Sequence, residues 1–574
     1  MPGRRERGLL LNMARINCMT VLRFLVLLIL VIMGLKMYPI FKTKHLDTPA
    51  KDSFWNKRRG AITPNQKLEQ EVIQTVQQVK EIIKTEVQAK TRKQKDYGIS
   101  GMRIVHLDLK GAAPKLTYLQ QIFPLLASIG VNGILMEYED MFPYHDELEI
   151  LKSTYAFSSA DIDKIQQIAE SNNLEIIPLI QTFGHMEFVL KHDKYRNLRE
   201  VQKYPNSLNP HLAGSLILVK KMLSQVLDKH SKSGWIHIGA DEVFNLGEST
   251  ESKQWINEQR GDIGKIFLDH IKQLGSFVVN KYPGIKLIMW DDMMRKTNKE
   301  RIIESGITEH ITPMVWFYHP DFSIDQVETL LSKYVDSGFK SVWFASAFKG
   351  ASGVSQNWTP IKFHLDNHLR WLQVIKSISK FSSLRFQGLA LTGWQRYDHF
   401  STLCELLPVA IPSLVVCMQT VTHGSFTENV KTKSQQLLGF KNIDLEKNLS
   451  EGEGTFAGAE VYQMVRWITQ NLKSEVTSVI ENNSEIKGWF SCYNRKHQFA
   501  NPRNMEHFGS ELHRVHKRWE EYLGNFRAQM ENIYFPDTVE EWMAVNVNLY
   551  MDPLRELVKD YKEIMALMAV PKQH

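Results

Sequence analysis

From Met102 onward the chain repeats one hydropathy pattern: a short run rich in Val, Ile and Leu, a polar loop, then a segment whose apolar residues recur every three or four positions. Eight runs can be counted, Arg103–Leu109, Gly133–Glu137, Glu175–Ile180, Trp235–Gly239, Lys286–Trp290, Thr312–Phe317, Lys340–Ala345 and Gly388–Trp394. Helical patterns separate and follow them at Tyr118–Ile129, Asp161–Ser171, Leu212–His230, Gly264–Tyr282, Lys299–Ser305, Ile324–Ser337, Ile361–Phe381 and Thr402–Gln419. Continuous apolar strands need cover on both faces, and alternation with helices supplies it in a parallel sheet. An open doubly wound sheet would alternate in the same way. However, no glycine-rich phosphate loop follows the first run, and eight is the number at which a parallel barrel closes. The pattern predicts an α/β fold of the (β/α)8 TIM-barrel type over residues 99–420.

The flanks read differently. Residues 1–18 form a basic tail carrying Arg4, Arg5, Arg7 and Arg15, and in the apolar segment 19–41 only Arg23 and Lys36 are charged. A membrane span needs roughly 20 apolar residues. The uninterrupted run Phe24–Leu35, with cations near enough to its ends to snorkel, predicts an uncleaved transmembrane signal anchor. Residues 42–98 are polar, with Val72, Val76, Val79 and Ile83 at alternating four- and three-residue spacing, which predicts a solvated helical stalk. Residues 421–574 carry amphipathic patterns containing Trp467, Trp489, Trp519, Tyr522 and Trp542, and predict a C-terminal helical region.

Composition narrows the function classes. With 574 residues, 43% hydrophobic and 23% charged, the chain is ordinary globular protein and exceeds one average domain. Much of the basic excess behind the net charge of +7 sits before residue 100, so nothing points to nucleic acid. The four cysteines, Cys18, Cys404, Cys417 and Cys492, form no CxxC pair and argue against a zinc knuckle or a disulfide framework. Three glycosylation sequons, at Asn357, Asn448 and Asn482, are usable only in a lumen.

In a barrel, chemistry gathers at the C-terminal strand ends, so the polar residues after each run are the candidates. The first four runs offer Asp108 and Lys110, Glu137 and Glu139, then Gln181, His185 and Glu187, then His237, Asp241 and Glu242. The last four offer Trp290 with Asp291 and Asp292, Trp316 with Tyr318 and His319, Trp343 with Lys349, and Trp394 with Gln395, Tyr397 and Asp398. Any one tryptophan reads equally well as barrel-mouth core. Four at successive strand ends suit a sugar, whose C–H face is apolar while its hydroxyls radiate in the ring plane. Asp241 and Glu242 repel each other's charge, which tends to hold a proton on one of them and leaves an acid beside an anion.

The stretch His237-Ile-Gly-Ala-Asp241-Glu242 resembles the His-x-Gly-x-Asp-Glu signature of glycoside hydrolase family 20, the β-N-acetylhexosaminidases. With Gly184-His185 and the run Leu391–Phe400, the resemblance extends over Gly101–Gln419 and is nearest to the hexosaminidase D branch. It departs where Lys110 stands in place of the sugar-binding Arg of many members. The resemblance implies removal of terminal N-acetylgalactosamine or N-acetylglucosamine from glycans by substrate-assisted retaining hydrolysis, with galactosaminides favoured in that branch. Glu242 would be the proton donor, and Asp241 would orient the acetamido group and stabilise its cationic intermediate. His185, His237, Trp290, Trp316, Trp343, Trp394, Tyr397 and Asp398 would bind the sugar, with Glu405 as a further candidate for distal hydroxyls and Tyr318 or Tyr397 for the acetamido carbonyl. The two histidines would hold the carboxylates rather than a metal, and no metal or cofactor is expected.

The expected partners are a glycan and, through the anchor, a membrane, with no nucleic acid and with a homodimer left open. The anchor predicts a single-pass membrane protein, whereas the resemblance implies cytoplasm and nucleus. Two rival readings remain: a metal-dependent hydrolase built on His106, Asp108, His185, His237 and Asp241, and a sugar-binding barrel without turnover.

Overall fold

The computed structural model describes residues 99–573. The expected tail, anchor and stalk lie outside them. Strands β1 (Met102–Asp108), β2 (Gly133–Glu137), β3 (Glu175–Leu179) and β4 (Trp235–His237) are followed by β5 (Lys286–Trp290), β6 (Ile311–Trp316), β7 (Ser341–Lys349) and β8 (Arg385–Gly393). All pairs are parallel, and they close into one barrel in the order β1-β8-β7-β6-β5-β4-β3-β2. The strands are buried almost throughout, which is why their sequences read as continuous apolar runs.

The covering helices are α1 (Leu116–Ser128), α2 (Ser159–Ser171), α3 (Ala213–Lys229), α4 (Ile263–Lys281), α5 (Lys299–Ser305), α6 (Ile324–Asp336), α7 (Ile361–Ser377) and α8 (Leu407–His423). Their starts are specified locally. Ser158 and Asp161 form a reciprocal capping box at α2, and Asn298 and Ser323 cap α5 and α6, each cap being worth about 1 kcal/mol. Several boundaries differ from expectation, among them the end of α7 at Ser377 rather than Phe381 and the start of β8 at Arg385 rather than Gly388. Strand β7 runs four residues past Ala345, to Lys349, and α8 starts at Leu407 rather than Thr402, with Pro408 in its first turn where a missing N–H leaves no bond unmade. A hairpin (Arg199–Val201 with Tyr204–Leu208) and a helix (Thr250–Gln259) are inserted after β3 and β4.

The C-terminal region is helical: α9 (Glu428–Leu438), α10 (Ala459–Ile480), α11 (Pro502–Ile533), α12 (Pro536–Met543), a π-helical turn (Ala544–Asn548) and α13 (Leu549–Ala566). Helix α11 buries Met505, Phe508, Leu512, Val515, Trp519, Leu523, Phe526 and Met530, a stripe at helical spacing. The described residues form one compact unit. The region is docked by backbone as well as side chains: Lys115 N donates to Ile533 O at 2.7 Å, and Leu407 N donates to the Tyr534 hydroxyl at 3.1 Å.

Among the described residues no helix is long and apolar enough to cross a membrane, and Cys404, Cys417 and Cys492 are unpaired. Two sequon amides are already engaged, Asn357 Nδ2 with Asn546 Oδ1 and Asn448 Nδ2 with Thr359 O, both at 2.8 Å. A glycan on either nitrogen would displace these bonds, whereas Asn482 is exposed.

Candidate active site

After His237 the chain leaves β4 through a turn that a sequence of ordinary residues would avoid. Gly239, Ala240 and Glu242 all have positive φ (61°, 66° and 46°), a conformation that costs a non-glycine residue about 1–2 kcal/mol. Three hydrogen bonds hold it: Gly239 N donates to His237 Nδ1 (3.0 Å), Ala240 N to Gln181 Oε1 (3.2 Å) and Glu242 N to Asp292 Oδ2 (3.0 Å). The loop after β3 packs against the same turn, and a Cβ on Gly184 would lie 2.0 Å from Asp241 O, so only glycine fits there. Strain concentrated at a strand end and fixed from β3 and β5 places the two neighbouring carboxylates in one pocket.

His185 joins the pair. Its Nε2 donates to Glu242 Oε2 at 3.1 Å and lies 3.5 Å from Asp241 Oδ2, while Asp241 Oδ1 accepts from Gln181 Nε2 at 3.1 Å. Burial disfavours charge on His185, but the Asp241 carboxylate and the Glu242 hydrogen bond outweigh it and lift the imidazole to about 10. Glu242 is held below its usual range by that same hydrogen bond, and burial raises Asp241 against the pull of His185. Burial and His185 thus move the two carboxylates in opposite directions, Asp241 up and Glu242 down, while the His185 imidazole between them is held in its protonated form.

Aromatic rings and cations complete the pocket, a cavity of about 170 Å³, which is small against the roughly 300–1,000 Å³ of drug-sized sites and suits a single sugar ring. Trp290, Trp316, Trp394 and Tyr397 line it, as expected, together with Tyr318. Tyr318 stacks on Trp316 (5.1 Å, 22°) and meets Trp394 edge-on (6.2 Å). Burial pushes its phenol well above the ordinary value, so it remains a donor. The indole N–H groups of Trp290 and Trp316 are buried without a partner among the described residues. Lys110, wholly buried, lines one side and pairs with Asp108 (3.0 Å) and Glu137 (3.5 Å).

Three residues expected to bind sugar are not in the pocket wall. Trp343 sits deep in the barrel because β7 runs on to Lys349, which leaves Trp343 near the start of the strand. It fills space left by Gly388, whose Cβ would lie 2.6 Å from the indole, and packs edge-on against Trp235 (5.4 Å). His237 lies beneath Trp290 (4.4 Å) and accepts from Gly239 N, so it shapes the turn without touching a carboxylate; burial keeps it neutral, near 3. Asp398 caps its own loop by accepting from Phe400 N (2.8 Å) and Ser401 N (3.1 Å). Glu405 likewise is used within the protein, accepting from Gly350 N at 2.8 Å.

The ligand set of the metal reading is not brought together. His106 is bonded to Glu137 (2.9 Å) inside the barrel, and His237 serves the turn. Glu139, Asp140 and His399 do gather, but Glu139 Oε2 meets His399 Nδ1 (3.0 Å) and Lys191 donates to its Nε2 (2.8 Å), so both ring nitrogens are taken.

Arg396 also lines the pocket, at 8% exposure, although nothing in its sequence neighbourhood marks it. Its partner Glu541 lies 145 residues away, beyond any local signal.

Asp292 is a buried carboxyl that burial and the Asp241 charge raise to about 7. A carboxyl raised on folding takes up a proton between its unfolded value, near 4, and 7, so its contribution to stability falls as pH rises through that window. Asp292→Asn can still accept from Glu242 N but does not titrate. Its Tm relative to the parent is expected to rise by about 3 °C between pH 4 and pH 8. Parallel Tm curves would show that Asp292 is not the source.

Residues 123–384 match glycosyl hydrolase family 20, catalytic domain. The chain is 42% identical over 465 residues to Hexosaminidase D of Homo sapiens, covering 81% of this chain and 95% of the relative. It is 50% identical over 343 residues to Hexosaminidase D of Bos taurus, covering 60% of this chain and 98% of the relative.

Proposed function

The chain belongs to glycosyl hydrolase family 20 and is a β-N-acetylhexosaminidase, and from that premise we propose that it removes a terminal N-acetylhexosamine by letting the substrate's own acetamide act as nucleophile. One observation carries this reading: among the described residues lining the pocket, the only carboxylates are the sequence neighbours Asp241 and Glu242, both served by one nitrogen of His185. A carboxylate nucleophile would instead stand about 5 Å from its acid, across the scissile bond.

In this scheme the acetamido oxygen attacks the anomeric carbon while Glu242 protonates the departing oxygen. The proton is drawn from the His185–Glu242 hydrogen bond, and the imidazole, raised to about 10, keeps that reservoir filled through neutral pH. Asp241, fixed by Gln181 and His185, places its charge against the amide nitrogen as it becomes positive. Tyr318, stacked on Trp316 and kept protonated by burial beside Asp241, supplies the donor for the acetamido carbonyl. Trp290, Trp316 and Trp394 form the ring platform, and Lys110 stands where it can reach a distal hydroxyl.

The expected result is hydrolysis of aryl β-N-acetylglucosaminide or β-N-acetylgalactosaminide with retention of anomeric configuration, unaffected by a chelator. Inverted product, or activity that depends on added metal, would overturn the scheme. The segment 19–41 is read as a single-pass signal anchor, supported by its apolar run and flanking cations; alkaline extraction of cell membranes tests it, and release of the full-length chain would contradict it.

A further inference from the structure

We infer that Glu541 and Asn546, both in the C-terminal helical region, are positioning residues for the sugar pocket, because together they tether the two barrel loops that carry Arg396, Tyr397, Gly350 and Ala351. Arg396, in the loop after β8, is clamped by Glu541 of α12: Nη1 to Oε1 at 2.5 Å and Nη2 to Oε2 at 2.6 Å. The same guanidinium reaches back to the β1 loop through Nε to Lys110 O (3.0 Å) and to its own loop through Nη1 to Ser401 O (2.8 Å). Glu541 Oε1 also accepts from Leu403 N at 3.1 Å, so one carboxylate fixes both the side chain and the backbone of the β8 loop.

Asn546, five residues further along, does the same for the loop after β7. Its Oδ1 accepts from Asn357 Nδ2 at 2.8 Å, and its own Nδ2 donates to Trp542 O at 3.1 Å. The two tethered loops are then joined to each other through Gly353 N and the Tyr397 hydroxyl at 3.0 Å. Asn546 lies in the π-helical turn that continues α12. Such turns are rare and recur at functional sites. Loops at a barrel mouth are the mobile part of the fold. A bidentate carboxylate–guanidinium pair supplies direction as well as attraction, and removing one partner leaves a buried charge unpaired. The C-terminal helices therefore brace the loops of the pocket wall, although none of the described residues lining it comes from them.

This inference rests on the sugar-pocket reading, and the two fail differently: a parent enzyme that neither binds nor hydrolyses an N-acetylhexosaminide sinks the reading, whereas this inference is judged on variants of an active parent. In the full-length chain, Glu541→Gln is expected to raise KM for an aryl N-acetylhexosaminide about tenfold and to change kcat less than about threefold. Glu541→Asp should recover part of the loss. Calorimetric Kd for free N-acetylhexosamine should follow KM. Asn546→Ala is expected to raise KM about threefold, and adding Asn357→Ala should raise it no further. If Glu541→Gln does not fold, the Asn546 and Asn357 variants decide. Folded variants with a lowered Tm but parental KM and Kd would show that the contacts are structural only, and would overturn the inference.

Discussion

Glu242→Gln is expected to lower kcat for hydrolysis of an alkyl N-acetylhexosaminide by about 10³-fold while leaving the Kd for sugar within about threefold. Glutamine keeps the shape of the side chain, and its oxygen can still accept from His185 Nε2, which lies 3.1 Å from the carboxylate. What it loses is the ability to carry a proton to the leaving oxygen. The deficit should shrink as the leaving group becomes more acidic, because a nitrophenolate departs without protonation. A deficit independent of leaving group would assign Glu242 a different role, and undiminished turnover would remove it from the chemistry. The same substitution also removes the carboxylate whose hydrogen bond, with the charges of Asp241 and Glu187, holds the His185 imidazole near 10, so its titration, followed by NMR, should move down.

Asp241→Asn is expected to reduce kcat by about 10²–10³-fold with a smaller change in KM. Two causes act together. The amide lacks the negative charge that faces the developing oxazolinium nitrogen. It also misfits its surroundings, because both carboxylate oxygens face donors, Gln181 Nε2 at 3.1 Å and His185 Nε2 at 3.5 Å. Whichever oxygen becomes NH2 then meets another donor, and a buried donor left unpaired costs about 1–3 kcal/mol. Added azide is expected to leave the variant slow, since no glycosyl–enzyme ester is lost. Rescue by azide, with a glycosyl azide as product, would put Asp241 in the nucleophile's place.

Much of this was legible in the chain because barrel strands are buried on both faces. Gly133–Glu137 and Lys286–Trp290 are uninterrupted apolar runs bounded by polar residues, and both form strands at those bounds. The turn that carries Asp241 and Glu242 was legible because the pair follows such a run directly. Trp343 was not, since a tryptophan near a run's end looks the same whether it faces a sugar or fills a barrel. What decides is the strand's true end at Lys349 and the vacancy opposite Gly388, and both depend on neighbours in space. His237 and Asp398 were misread for a related reason. Each is polar and lies near a strand end, but each spends its hydrogen bonds on the loop that carries it. Arg396 escaped notice because its meaning comes from Glu541, which only the folded C-terminal helices bring to it.

The central claim, that the substrate's acetamide rather than a protein side chain attacks the anomeric carbon, is tested most directly by a thiazoline mimic of the cyclic intermediate. A site built around that intermediate should bind the thiazoline at least about 10²-fold more tightly than free N-acetylglucosamine, and the advantage should collapse in Asp241→Asn. A thiazoline that binds the parent enzyme no better than the free sugar would contradict the claim.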